Sequence, residues 1–152
     1  MEQSKLDKTD FDIIDILLKK AKTPYKQISK QLNISLGTVH VRLKKLEALN
    51  VIRGFNIDID FEVLGYSLLV FIGLIINGKK HENVVSELEK IEELVELHHT
   101  TGKYHMFAKL LCKNTKQLRK ILINQINSID GIEKTETTIS LARIISKPGV
   151  CS

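Results

Sequence analysis

Phe11, Ile13, Ile14, Leu17 and Leu18 recur at the three-and-four spacing of one helix face, which predicts a helix over 9 to about 22. Asp10, Asp12 and Asp15 fall near its start, where the helix dipole favours negative charge. Pro24 forbids simple continuation. A second helix is predicted over Tyr25–Leu32, with Ile28 and Leu32 four residues apart, and Asn33 then supplies a residue that tolerates a left-handed turn. Ser35 can cap a third helix whose inward stripe is Val39, Leu43, Leu46 and Leu49. Two helices joined by a turn of about three residues make a helix-turn-helix.

From Val51 the period falls to two. Ile52 to Asp60 alternates apolar and polar side chains, as a strand with one dry face does. That segment is read as a strand-like linker over 53–63, between a helical domain at 1–52 and a second domain at 64–152. The second domain predicts a strand at 66–77 and a helix at 82–94 with Val84, Leu88, Ile91 and Val95 on one side. Strands at 95–101 and 104–113 flank a turn at Gly102-Lys103. A helix at 115–129 and, after Asp130-Gly131, a strand at 132–145 complete the order βαββαβ, which is ferredoxin-like. The expected fold class is therefore α+β: an N-terminal (winged) helix-turn-helix joined by the linker to a ferredoxin-like domain. Both helices of such a domain pack on one sheet face, yet the first strand is apolar on both. Leu69 and Phe71, or their alternates, would face water in a monomer, and soluble monomers rarely carry such a patch, so a sheet-to-sheet homodimer is expected.

Charge adds a partner. Residues 19–54 hold nine cations against the single acid Glu47, a local excess of +8 in a chain whose formal net charge is +5. That one segment holds the whole positive excess, as in domains that bind phosphate backbones. With Val39, Leu43 and Leu46 inward, the third helix turns Gly37, Val41, Lys44 and Lys45 outward, and such a helix fits the major groove of double-stranded DNA. Ser35, Gly37, Thr38 and His40 are the candidates for base reading; Lys26, Arg42, Lys44 and Lys45 are the candidates for phosphate contact. The plainer alternative is a solvated basic face on an ordinary helical hairpin.

In the second domain the turn Thr100-Thr101-Gly102-Lys103-Tyr104-His105 is either a plain β-turn or a hydroxyl- and amide-rich loop able to hold a small carboxylate. A two-residue turn there pairs His98 with Phe107 and makes His98 and His105 diagonal neighbours, but two ligands do not make a metal site, and no metal or cofactor is expected. No nucleophile-base constellation or phosphate-binding glycine loop stands out, so catalysis is not expected. Cys112 and Cys151 have no framework spacing, and the chain carries neither an apolar signal core nor a membrane-length apolar run. A cytoplasmic location without membrane association is the expectation.

These residues assemble into a resemblance. Leu6-Asp7 with Asp10, Ile28-Ser29 with Leu32, Ser35-Leu36-Gly37-Thr38-Val39, Arg42, Lys45-Leu46-Glu47 and Val51-Ile52 with Gly54 resemble the leucine-responsive regulator/AsnC (feast/famine) family of transcription regulators. Leu64-Gly65-Tyr66, Thr100 to Tyr104, Ile129-Asp130-Gly131 and Thr135-Glu136-Thr137 are similar to that family's amino-acid-binding domain, so the likeness covers about 5 to 145. Gly37 to Arg42, Phe71-Ile72-Gly73 and Leu122-Ile123-Asn124 look like its asparagine-responsive members. Asn50 stands where the family usually has glycine, and asparagine also accepts a left-handed helix end. The resemblance implies a homodimer that assembles further, typically to an octamer. It also implies that an amino acid, asparagine or a related one, binds at the hairpin through Thr100, Thr101, Gly102 and Tyr104. Asp130, Glu136 and Thr138 would line the same site. The alternative is an orphan or architectural DNA-binding protein without a ligand.

Overall fold

The computed structural model describes residues 6–146. The chain divides into two compact units, one reaching Asp58 and the other spanning Ile59–Ile144. In the first unit, helix α1 is Lys8–Lys19, and Asp7 caps it: the Asp7 side chain accepts the Asp10 N–H at 3.0 Å and the Asp10 side chain accepts the Asp7 N–H at 3.1 Å. This reciprocal box satisfies two of the N–H groups that every helix start leaves open. The helix stops three residues short of the predicted end because Lys20 is extended and its carbonyl takes both the N–H and the hydroxyl of Thr23, at 3.0 and 2.7 Å. Helix α2 is Tyr25–Leu32, closed by Asn33 at φ 53°. Helix α3 is Leu36–Ala48, its Ser35 cap accepting the Thr38 N–H at 3.0 Å. Asn50 takes the left-handed conformation, φ 55°, in the position where glycine is usual. Ile13, Leu17, Ile28, Val39, Leu43 and Leu46 make the core, and Leu49 is only half-buried.

The alternating segment 53–60 forms no strand. Its apolar positions Phe55 and Ile57 are 49% and 73% exposed, and no described strand pairs with it. Alternation specifies a strand only where a neighbour takes the backbone hydrogen bonds.

In the second unit β1 is Leu68–Ile76, α4 is His81–Glu89 after a tight turn at Gly78–Lys80, β2 is Leu94–His99 and β3 is Met106–Cys112. Helix α5, Thr115–Ile121, runs into a wider π turn at Leu122–Ile126, and β4 is Ile132–Ser140. The antiparallel sheet has the order β2-β3-β1-β4, with the most apolar strands in the middle. Val70, Ile72, Leu74 and Ile76 alternate inward against Val84, Leu88, Leu118, Ile121 and Ile126. Helix α4 ends five residues early, so Val95 belongs to β2 and is 44% exposed rather than packed with the helix. Strand β4 stops at Ser140, opposite Leu69, because β1 has there almost run out of residues to pair with. No helix among the described residues is long and apolar enough to cross a membrane.

Gly131 has φ +110°, and a Cβ there would lie 2.7 Å from the Lys80 Cβ and 2.9 Å from a Val84 methyl. Gly131→Ala is therefore expected to cost about 1–3 kcal/mol in urea unfolding; an unchanged midpoint would contradict this close packing.

Candidate DNA and effector sites

On α3, Ser35, Gly37, His40 and Lys44 are exposed and Thr38 is half-buried, its Oγ1 2.8 Å from Ser35 Oγ. Lys26 is exposed on α2, and the His40 ring packs edge-on against Tyr25 at 4.9 Å. Leu36 and Val41, 46% and 68% exposed, complete this strip. Neither figured among the base readers predicted from sequence, although exposed apolar residues on such a helix suit contact with a thymine methyl. Among the described residues Lys26 and Lys44 enter no ion pair.

Arg42 and Lys45 sit differently from the phosphate contacts predicted. Arg42 Nη1 donates to Asp7 Oδ1 and Oδ2 at 2.6 and 2.7 Å and to Asp10 Oδ1 at 2.8 Å, while Lys45 Nζ reaches Asp10 Oδ2 at 2.6 Å. The Asp10 side chain is fully buried. Hydrogen bonding from Arg42, then from the Asp10 N–H, holds the Asp7 carboxyl below its ordinary value. At Asp10 burial pushes upward, but the hydrogen bonds from Lys45, Arg42 and the Asp7 N–H prevail and its carboxyl is also lowered. Two cations and two carboxylates cancel, so the basic character of the outer face falls to residues such as Lys44 and Lys26.

In the second unit the hairpin is a built structure. Thr100 donates its N–H to the His105 carbonyl at 3.0 Å and its hydroxyl to the Tyr104 carbonyl at 2.8 Å, and Gly102 turns the chain at φ 106°. The Tyr104 ring lies directly on Gly73, where a Cβ would approach it to 2.7 Å. Lys103 Nζ stands 4.9 Å from the centre of that ring and 2.6 Å from Glu136 Oε2. Hydrogen bonding from Lys103, then Tyr104, lowers the Glu136 carboxyl, and that from Glu136 raises the Lys103 ammonium. Glu136 is opposite Gly73 and Thr138 opposite Phe71, so Tyr104, Glu136 and Thr138 share one sheet face, with Thr101 exposed on the turn above. Asp130 is not part of this group. It pairs with Lys80 at 2.5 Å, its carbonyl accepts from Asn83, and it lies with α4 on the helical side. Gly73 was missed from the sequence, where a glycine interrupting an apolar strand was the available signal, and Lys103 was named within the turn but given no role of its own.

His98 pairs with Phe107 as predicted and lies 3.3 Å from Glu96, whereas His105 Nδ1 accepts the Ile76 N–H at 3.0 Å and so closes the end of the sheet. Burial, and then the Glu93 charge, push the Cys112 thiol up to about 11, which keeps it in the unreactive protonated form.

A capped helix with an open outer strip, next in sequence to a four-stranded α+β unit carrying a polar hairpin, defines a helix-turn-helix regulator with a ligand-binding half. Residues 6–53 match the winged helix-turn-helix DNA-binding family and residues 69–150 the Lrp/AsnC ligand binding domain. The chain belongs to the Lrp/AsnC family of transcription regulators. It is 37% identical to the regulatory protein AsnC of Escherichia coli (strain K12) over 148 residues, 97% of each chain. It is 43% identical to the HTH-type transcriptional regulator FL11 of Pyrococcus abyssi over 136 residues, 90% of this chain and 89% of that one. The solved structure of E. coli AsnC superposes with a TM-score of 0.88 at 36% identity, covering 93% of this chain and 96% of that chain. A Neisseria meningitidis regulator, NMB0573, solved as an L-Met complex, has the same fold, with a TM-score of 0.89 at 20% identity over 93% of this chain and 94% of that one.

Because Asp7 and Asp10 are lowered from an ordinary 3.8, their contribution is complete above that value and is lost as pH falls through the lowered folded values. Hydrogen-exchange protection of α1 and α3 is expected to hold at about pH 5 and to fall steeply below about pH 4. A flat profile across that range would contradict the ion cluster.

Proposed function

We propose that α3 reads operator DNA from the major groove through Ser35, Gly37, Thr38 and His40, with Lys26 and Lys44 on the phosphates, and that the C-terminal unit binds an amino acid and couples this to assembly. The observation that carries the reading is the exposed strip of α3, open along Ser35, Gly37, His40, Val41 and Lys44 while Val39, Leu43 and Leu46 stay buried. Relatives named as regulators support a regulatory rather than an enzymatic role. For the ligand, the opposed charges of Lys103 and Glu136 beside the Thr100 hairpin complement the carboxylate and ammonium of a free amino acid. Asparagine or a related amino acid is the proposed effector, bound by Thr100, Thr101, Gly102, Tyr104, Glu136 and Thr138. Leu69, Phe71 and Phe107 on the open sheet face are covered by a second copy in a homodimer, and dimers assemble further to an octamer in the cytoplasm. Binding at an interface stabilises the assembled form, which links effector to DNA affinity.

A salt series of operator binding, run with and without each amino acid, tests this. Lys44→Ala is expected to weaken binding and flatten the slope of log K against log salt by about 0.9 for each phosphate no longer neutralised. Lys45→Ala is expected to lower thermal stability instead, since it strips a cation from buried Asp10. An unchanged slope in Lys44→Ala would remove that residue from the interface. Asparagine or a close analogue is expected to shift operator affinity severalfold; no response to any amino acid would leave an orphan regulator.

A further inference from the structure

The acidic pair at the head of α1 is asymmetric in a way that bears on DNA. Asp10 is fully buried and is held by Lys45 at Oδ2 as well as by Arg42 at Oδ1, so it keeps a cation of its own if Arg42 turns away. The Asp7 side chain is 54% exposed. Its capping task needs only one oxygen, Oδ1, to accept the Asp10 N–H. Both of its oxygens nevertheless grip Arg42, at 2.6 and 2.7 Å. Among the described residues every side-chain hydrogen bond of Arg42 leaves through Nη1. The guanidinium has further donors on its other nitrogens. Asp7 and Arg42 line one surface concavity with Ser35, Gly37, Thr38, Val41 and Lys45, beside the first turn of the recognition helix.

We propose that the Asp7 carboxylate stands in for a DNA phosphate at Arg42 and so lowers affinity for DNA held through its phosphates, DNA of arbitrary sequence included. The inference rests on the DNA-binding reading above. A carboxylate and a phosphate present the same kind of oxygen pair to a guanidinium, and both cannot hold Nη1 at once. With Asp7 in place the four-residue cluster is formally neutral, so a phosphate gains little there. It must displace Asp7 or bind Arg42 through its other nitrogens against Asp7's charge. On a cognate site the base contacts of α3 offset that cost. On arbitrary DNA, which is held by phosphate contacts alone, nothing does. Asp7 thus weakens the phosphate-held complex, and arbitrary DNA, with no base contacts to add, shows the loss most plainly.

The test is fluorescence anisotropy with a random-sequence duplex over about 50 to 200 mM salt, using the full chain, Asp7→Asn, Arg42→Gln and the double variant. Asparagine retains the capping oxygen, and Asp7→Ser, which also caps, serves if the first variant fails to fold. Arg42→Gln leaves Asp10 paired with Lys45. Asp7→Asn is expected to bind the random duplex about threefold or more tighter, with a slope steeper by about 0.9 for each additional phosphate neutralised. The same change in the Arg42→Gln background is expected to alter neither. Unchanged affinity and slope in a folded Asp7→Asn would overturn the proposal. So would an equal gain in the Arg42→Gln background, which would reduce Asp7 to one charge in a general field. If the parent chain binds no duplex even at low salt, the DNA-binding reading itself falls and this inference with it; a parent that binds while Asp7→Asn matches it overturns the inference alone.

Discussion

A carboxylate withdrawn from water is tolerable only if cations and donors replace the hydration it loses, and in the N-terminal unit that carboxylate is Asp10. It receives Lys45, Arg42 and the Asp7 N–H while its side chain is fully buried. Asp10 belongs to the first turn of α1 and its cationic partners to α3, so one residue closes the α1 cap and ties the recognition helix to the rest of the unit. The apolar contacts of Ile13, Ile28, Val39 and Leu46 supply most of the burial. They fix which face of α3 turns inward, and the hydrogen-bonded charges, which demand a defined geometry, hold α3 to α1 in that rotation. That rotation decides which residues of the helix meet solvent, and therefore which can meet DNA.

The second unit meets a different constraint. Its central strand is apolar on both faces, with Val70, Ile72 and Leu74 under the helices and Leu69, Phe71 and Ile75 half-buried on the other side. Gly73 interrupts that second face, and the gap receives the Tyr104 ring from the β2–β3 hairpin. Absence of a side chain at one position thus anchors the hairpin, with Lys103 and Glu136 brought together beside it. The same region offers apolar surface and paired charges side by side.

Much of this was legible in residue order. Ser35 as a cap, Asn33 and Asn50 as left-handed residues and the stripe Val39, Leu43, Leu46 are local features, set by hydrogen bonds and packing within a few positions. The βαββαβ order and the pairing of His98 with Phe107 follow from strand period and turn length. The family was likewise legible, because its motifs sit in these same local elements. Errors fell on one whole segment, the strand at 53–60, and on element ends, the last turns of the helix predicted to 94 and the tail of the final strand. At each of these, continuation depended on a neighbour that periodicity does not specify.

By itself the sequence determined which segments are helices and strands, which faces are dry, and that a cationic helix follows a serine cap, since these arise from interactions within a turn or along a strand. Only the tertiary structure decided which cations face outward. Arg42 and Lys45 lie 35 positions from Asp7 and Asp10, and nothing local announces that those charges meet. It likewise separated Asp130 from Glu136 and set Tyr104 upon Gly73. Pairing across such distances is a product of how whole elements pack, and packing exists only once the chain has closed on itself.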